Sequence, residues 1–177
     1  LILNQNDYKL FYKLLGDGKQ FGVTITYAFQ ENPNGIAEAF KIGKNFIGKS
    51  NVCLILGDNI FFGQGFLDKI NEAKNRLERK KMSTIFAYRV NNPNEYGIVS
   101  FDRYNNAINL DEKPKNPKSN FAVTGLYFFD NSVVNKVKKI KKSKRNELEI
   151  TDINKIYLKE KKLYVEEFGR GFAWFDA

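Results

Sequence analysis

Residues 52–59, Val52-Cys53-Leu54-Ile55-Leu56-Gly57-Asp58-Asn59, run through five apolar side chains and then a glycine, an acid and an amide. A short, wholly apolar run closed by turn residues predicts a strand covered on both faces, the kind found where a parallel sheet lies between helix layers. In open sheets of that kind ligands bind beyond the carboxyl ends of the strands. Asp58 is therefore a candidate functional acid by position, and Gly57 leaves room for a ligand to come close. An Asp at a strand end is also an ordinary turn residue, so this signal alone is weak.

Outward from this strand, helix-like and strand-like periods alternate. Upstream, Leu1-Ile2-Leu3 reads as a strand, Tyr8, Phe11 and Leu15 recur at helical spacing, and Val23–Phe29 is a β-rich run. Ile36, Phe40, Gly43 and Ile47 then step by four, three and four, which predicts one amphipathic helix. Downstream, Phe66, Ile70, Ala73 and Leu77 form another helical stripe, and Thr84–Val90 is a further strand. This rhythm predicts an α/β fold, Rossmann-like, with three layers and a mostly parallel mixed sheet. After Pro93 the strand candidates Gly97–Phe101, Ala107–Leu110 and Ala122–Phe129 are separated by turns and read as antiparallel additions. A helix from Asn131, a helix over Ile150–Lys159 and strands near Leu163–Phe168 and Phe172–Phe175 complete one domain, without repeats or linkers.

Composition narrows the chemistry. The 177 residues include sixteen Phe and nine Tyr and are 42% hydrophobic, which argues for a packed core and against disorder. No apolar run is long enough for a membrane helix and no secretory leader is visible, so a cytoplasmic setting is expected. Cys53, the single cysteine, reads as buried filler in its apolar run. There is no histidine, so general acid–base and metal chemistry must use carboxylates, Lys, Arg and backbone amides with a hard cation. The net charge of +9 suits an anionic partner such as a phosphate ester. Much of it lies in Lys136, Lys138, Lys139, Lys141, Lys142 and Lys144, among Val133, Val137 and Ile140 at helical spacing. That is the pattern of a solvated helix face. Charge alone suggests a nucleic-acid-binding domain, but the aromatic residues sit in apolar stripes and do not interleave with Lys and Arg.

Four places carry candidate chemistry. Asp58 and Asp176 are acids from distant segments that could clamp one Mg²⁺, a cation that prefers oxygen ligands. Asp111-Glu112-Lys113-Pro114 offers a Glu to accept hydroxyls and a Lys to neutralise phosphate. Pro114 biases Lys113 toward extended backbone, so the two side chains point apart unless the chain bends there. Gln30, before the turn Asn32-Pro33-Asn34-Gly35, both donates and accepts and could read a pyrimidine edge. No glycine-rich phosphate loop of the G-x-x-x-x-G-K-[ST] or G-x-G-x-x-G type is present.

Taken in order, QENPNGIAEAF (Gln30–Phe40), LGDNIFFG (Leu56–Gly63), YGIVSFD (Tyr96–Asp102), EKPKNPKSNFAVTGLYFF (Glu112–Phe129), ELEITDINKIY (Glu147–Tyr157) and GRGFAWFD (Gly169–Asp176) resemble the successive motifs of glucose-1-phosphate thymidylyltransferases. The resemblance runs over nearly the whole chain. It implies the nucleotide-diphospho-sugar transferase version of the three-layer fold. It implies transfer of dTMP from dTTP to glucose 1-phosphate with loss of pyrophosphate, on Mg²⁺, in a homotetramer. That chemistry depends on positioning and charge neutralisation and tolerates the lack of histidine.

Residue by residue, the resemblance implies that Gln30 and Gly35 contact the base and that Asp58 and Asp176 bind Mg²⁺. Asn59 would lie beside the nucleotide or sugar, Tyr96 and Gly97 would line the glucose site, and Glu112 would hold glucose hydroxyls. Lys113 and Arg145 would neutralise the sugar phosphate, Val123 would contact the sugar, and Trp174 would buttress Asp176. Glu147, Glu149 and Asp152 fit a structural role at a helix start as well as a ligand role. The family pattern also has a G-G-x-G-T-R phosphate loop before these motifs and helices after them. The resemblance therefore implies a partial catalytic domain with little turnover by itself. Two rivals remain at this stage. A transferase using UTP or CTP would share every motif, whereas a glycosyltransferase usually shows Asp-x-Asp where this chain has Gly57-Asp58-Asn59.

Overall fold

A computed structural model describes all residues, Leu1–Ala177. Its elements in chain order are β1 (Ile2–Leu3), α1 (Tyr8–Leu15), β2 (Ala28–Phe29), α2 (Ala39–Ile42), α3 (Lys44–Ile47), β3 (Val52–Ile55), β4 (Asn59–Gly63), α4 (Phe66–Lys80), β5 (Ser83–Arg89), β6 (Gly97–Phe101), β7 (Ala107–Glu112), β8 (Phe121–Phe129), α5 (Val133–Lys136), α6 (Ile150–Lys159), β9 (Leu163–Phe168) and β10 (Phe172–Asp176).

The main sheet has six strands. β7, β6, β8, β5 and β9 follow one another across it, and β3 also pairs with β8. It is mixed, as expected, but its parallel share is smaller than the alternating rhythm implies. β8 runs antiparallel between β3 and β5, leaving β5 and β9 as the one parallel pair in this sheet. β8 is the central strand, and its alternation divides the core. Val123, Tyr127 and Phe129 face a cluster completed by Phe40, Ile153 and Tyr157 from the helices α2 and α6. Leu126 and Phe128 face a second cluster with Ala73 and Leu77 of α4. Helices on both faces make the expected three layers. A side chain such as Phe129, with none of its surface exposed, contributes about 1.5–3 kcal/mol by leaving water. On the α4 side, buried Glu166 accepts from Lys69 at 2.6 Å and from Arg76 at 3.1 Å, and Arg76 stacks 3.6 Å above the Tyr164 ring. These contacts set the register of α4 against β9.

Several expectations are corrected. β3 is not covered on both faces: Cys53 and Ile55 are exposed and alternate with half-buried Val52 and Leu54. β3 pairs on one side only, with β8, so its other edge and part of its surface are open. Cys53 is thus not buried filler. The β-rich run Val23–Phe29 forms a strand only at Ala28–Phe29, which pairs in parallel with β1. The helix expected over 36–47 is broken at Gly43 into a 3₁₀ turn (Ile36–Glu38), α2 and α3, though Phe40 and Ile47 are buried as their spacing predicts. The helix expected from Asn131 is the short α5. No helix is long and apolar enough to cross a membrane.

Candidate active site

β4 was not expected, because Ile60-Phe61-Phe62 shows no polar alternation. It pairs antiparallel with β10 in a two-stranded ribbon whose register sets Asn59 opposite Asp176 and Phe61 opposite Trp174. Two acids 118 positions apart in the sequence therefore meet at one end of a ribbon. Period-two alternation puts Asn59 and Phe61 inward and leaves Ile60, Phe62 and Phe175 exposed.

At that end the Asn59 amide nitrogen donates to Asp58 Oδ1 at 2.8 Å and to Asp176 Oδ1 at 2.7 Å. The Asn59 carbonyl oxygen accepts from the Gly125 N–H at 2.8 Å and from Trp174 Nε1–H at 2.6 Å. β8 lets the amide come this close because position 125 is a glycine. A Cβ there would lie 2.5 Å from Asn59 Oδ1 and 2.8 Å from Leu56 Cγ. Trp174 therefore supports Asp176 through Asn59, and Asn59 uses both its donors and its acceptor within the protein.

Beside the ribbon lies a cleft of about 180 Å³ lined by Tyr96, Gly97, Glu112, Lys113, Val123, Arg145, Trp174 and Asp176 among others. With Glu147 and Glu149, ten of the residues singled out in the sequence thus come together from β6, β7, β8, β10, the residues flanking β6 and β7, and the loop before α6. Glu112 ends β7, and the chain bends at Lys113, whose φ of +40° is left-handed and not extended as Pro114 predicts. The Lys113 N–H donates to the Tyr96 carbonyl at 3.0 Å, which carries the β6–β7 pairing one residue past Glu112 and imposes the bend. This conformation before a proline costs on the order of 1–3 kcal/mol. It brings Glu112 and Lys113 to the same cleft.

Glu112 is held at both oxygens. Oε1 accepts from Arg145 Nη2 at 3.1 Å, and Oε2 accepts from the hydroxyl of Thr151 in the first turn of α6. A Cβ on Gly97 would lie 3.0 Å from the Thr151 hydroxyl oxygen and 3.3 Å from Glu112 Oε2, so position 97 keeps this pair uncrowded. Arg145 also donates to buried Glu149 from Nε at 3.2 Å and from Nη2 at 2.8 Å. Its Nη1 makes no hydrogen bond within the protein. Glu149, chiefly through its hydrogen bonds to Arg145, raises the guanidinium pKa further above its usual range. Burial, with Asp176 and Glu95 nearby, raises Tyr96, so its phenol remains a donor.

The charge of the cleft is opposite to that of the chain. Five carboxylates (Glu95, Glu112, Glu147, Glu149 and Asp176) line it against two cations, Lys113 and Arg145. The net +9 therefore does not describe the site. An anionic ligand would meet repulsion here unless a cation accompanied it. Asp58 and Asp176 supply only oxygen, and no three His, Cys, Asp or Glu side chains come together in a group that could hold a metal ion. Such a sparse, all-oxygen set fits Mg²⁺, which keeps several waters and takes one or two carboxylates plus phosphate oxygens.

Gln30, Gly35, Asp58 and Asn59 are not among the residues lining this cleft; Asp58 and Asn59 reach its edge only through the hydrogen bond from Asn59 to Asp176. The Gln30 amide donates to Glu38 Oε2 at 2.8 Å. Gly35 packs on the Leu148 backbone, and Ile36, its neighbour, reaches the cleft. Sequence reasoning missed Thr151. It lies inside a quoted motif, but a Thr in the first turn of an amphipathic helix carries no mark of facing a ligand. A larger and more open hollow of about 600 Å³, around Arg89, Ser100 and Lys118, contains no acidic residue.

A family model described as nucleotidyl transferase matches residues 1–177. Among curated proteins, a glucose-1-phosphate thymidylyltransferase of Neisseria meningitidis is 49% identical over 176 residues, which is 99% of this chain and 60% of the relative. A protein of the same name from Mycobacterium tuberculosis is 48% identical, with the same coverage. The chain thus spans about 60% of the length of these relatives. A crystal structure described as a glucose-1-phosphate thymidylyltransferase from Bacillus anthracis, in complex with a sucrose, superposes with a TM-score of 0.86 at 36% identity, over 99% of this chain and 69% of that one. A UDP-glucose pyrophosphorylase complexed with UDP-glucose shares the fold, with a TM-score of 0.82 at 19% identity over 99% of this chain and 73% of that one.

Proposed function

This chain belongs to the nucleotidyl transferase family, and from that premise we propose that the protein transfers dTMP from dTTP to glucose 1-phosphate, releasing pyrophosphate. The observation that supports this reading is that Asp176, tied to Asp58 through the Asn59 amide, lines the same cleft as the Glu112–Arg145 pair. An acid-rich end suited to a cation and a hydroxyl-reading acid beside a free guanidinium edge are what a nucleoside triphosphate and a phosphorylated sugar require.

In this reading Glu112 accepts hydrogen bonds from hexose hydroxyls, and Tyr96, Gly97 and Val123 shape the sugar space. Arg145, through Nη1, and Lys113 hold the sugar phosphate so that one of its oxygens is aligned with the α-phosphorus. Asp58 and Asp176 are the residues that would hold Mg²⁺. Bound there, the ion would offset the charge of the triphosphate. Positioning and charge neutralisation then account for catalysis without a histidine. Gln30 and Gly35 remain candidates for the base, on the resemblance alone.

The test, made on this chain extended to the length of its relatives, is pyrophosphate release from glucose 1-phosphate with dTTP, dUTP, UTP and CTP in parallel. Turnover with dTTP is expected, with kcat/KM exceeding that for dUTP by roughly 10- to 200-fold, the value of one methyl in a fitted pocket. Absence of release with every nucleotide would refute the proposed reaction. Rates that favour UTP would instead assign the protein to a uridylyl-transferring branch. Thr151→Val gives a finer check. It keeps the side-chain shape and removes the donor to Glu112. A hydrogen bond to a charged group is worth about 1.5–3 kcal/mol, so KM for glucose 1-phosphate should rise about tenfold or more while KM for dTTP changes little. An unchanged sugar KM would show that Glu112 needs no such support.

A further inference from the structure

We infer that Asn59 is a positioning residue, which orients the two carboxylates that receive the cation and is itself locked by Trp174 and the β8 backbone. The inference rests on the reading of Asp58 and Asp176 as the cation ligands. Three observations support it.

First, the Asn59 side chain has a decided orientation. Its two outside donors, the Gly125 N–H and the Trp174 indole N–H, require an oxygen, and its two outside acceptors, the carboxylates, require a nitrogen. Rotating the amide by half a turn would break all four bonds. Second, the amide takes only Oδ1 of each carboxylate, and Oδ2 of Asp58 and of Asp176 makes no hydrogen bond within the protein. One oxygen of each acid is thus fixed and partly neutralised, and the other remains available. Third, Asn59 is buried, with 9% of its surface exposed, whereas Asp58 and Asp176 are exposed, so the amide is sheltered while the carboxylates stay open to a ligand. Two carboxylates held this near each other would repel, and a shared N–H₂ group lets them stay together before any cation arrives. The arrangement matches a ligand-orienting outer shell, built here on a ribbon and a central strand. It also gives Asn59 a role other than the direct contact with nucleotide or sugar that the family resemblance implies.

The test is Mn²⁺ binding to the metal-stripped protein, followed by electron paramagnetic resonance without substrate and paired with circular-dichroism melts. The variants are Asp58→Asn, Asp176→Asn, Asn59→Ala and Trp174→Phe. The Asp variants are expected to lose measurable binding. Asn59→Ala and Trp174→Phe are expected to weaken it by about 10- to 100-fold, the usual cost of losing an outer-shell partner. Asn59→Ala strands two donors and is the variant at risk of misfolding. Trp174→Phe keeps an aromatic ring and removes only the N–H side, so it decides the matter if Asn59→Ala does not fold. Wild-type Mn²⁺ affinity in folded Trp174→Phe and Asn59→Ala, with binding lost in the Asp variants, would overturn the inference and leave the ligand assignment intact. Wild-type affinity in the two Asp variants would remove the ligand assignment itself, and the inference with it.

Discussion

Asp58→Asn is expected to lower kcat for pyrophosphate release by on the order of 10³-fold, equivalent to about 4 kcal/mol of transition-state stabilisation. The substitution preserves size, and the new carboxamide oxygen can still accept from the Asn59 amide, so the ribbon should fold as before. What disappears is the negative charge on the oxygen that has no partner within the protein. With only Asp58 and Asp176 at this position and no group of three or more His, Cys, Asp or Glu that could hold a metal, one lost charge halves the charge of the proposed ligand set. Asp176→Asn should have an effect of the same order. The check is steady-state turnover over a range of Mg²⁺ concentrations, with circular dichroism to confirm the fold. Excess Mg²⁺ should recover part of the loss, because some of it is affinity. A variant that retains more than about a tenth of wild-type turnover at ordinary Mg²⁺ would exclude Asp58 from the chemistry.

The second large effect is on stability. Gly35→Ala should destabilise the protein by at least about 3 kcal/mol, and activity should fall with it. Gly35 has φ +98° and ψ 158°, a region open in practice to glycine alone. A Cβ there would lie 2.5 Å from the Leu148 carbonyl oxygen and 2.6 Å from its nitrogen. Both are backbone atoms and cannot swing aside. The same junction carries the hydrogen bonds from the Leu148 N–H to the Asn34 carbonyl, at 2.6 Å, and from the Ala37 N–H to the Leu148 carbonyl, at 3.2 Å. Leu148 precedes Glu149, which holds Arg145, so a displaced loop would carry the Arg145 guanidinium with it. Urea denaturation of both proteins measures the difference. Gly57→Ala serves as the control, since a Cβ at position 57 meets nothing within 4 Å and should change stability by less than about 0.5 kcal/mol. A loss below about 1 kcal/mol for Gly35→Ala would show that the loop can yield.

These two sites differ in how far they could be read in advance. Asp58 is visible from local pattern, because an acid after an apolar strand marks the ligand end of an α/β sheet. Gly35 is also visible, as part of an Asn-Pro-Asn-Gly turn, but its packing on Leu148 is not. That contact joins positions 113 apart in the chain, and no period or composition encodes it. The strand length misjudged at 23–29 and the cover misjudged at 52–56 have a related cause. Apolar runs report β-propensity, whereas the ladder and the cover on each face depend on which neighbour is present. β4 escaped notice because a fully apolar triplet hides which side chains point inward until β10 is laid beside it.

What the amino-acid order determined by itself is the class of fold, the layers, most helices and strands, and the types of residue available for chemistry. These follow from local steric and hydrophobic periods, which act over a few residues. Tertiary structure alone decided that Asp58 and Asp176 share one amide, that Lys113 bends back toward Glu112, and that a basic chain has an acid-lined cleft. Each of these depends on strand register and on the path of the chain between distant elements. Charge, hydrogen bonding and close backbone contact act through space, and sequence separation carries no measure of that distance.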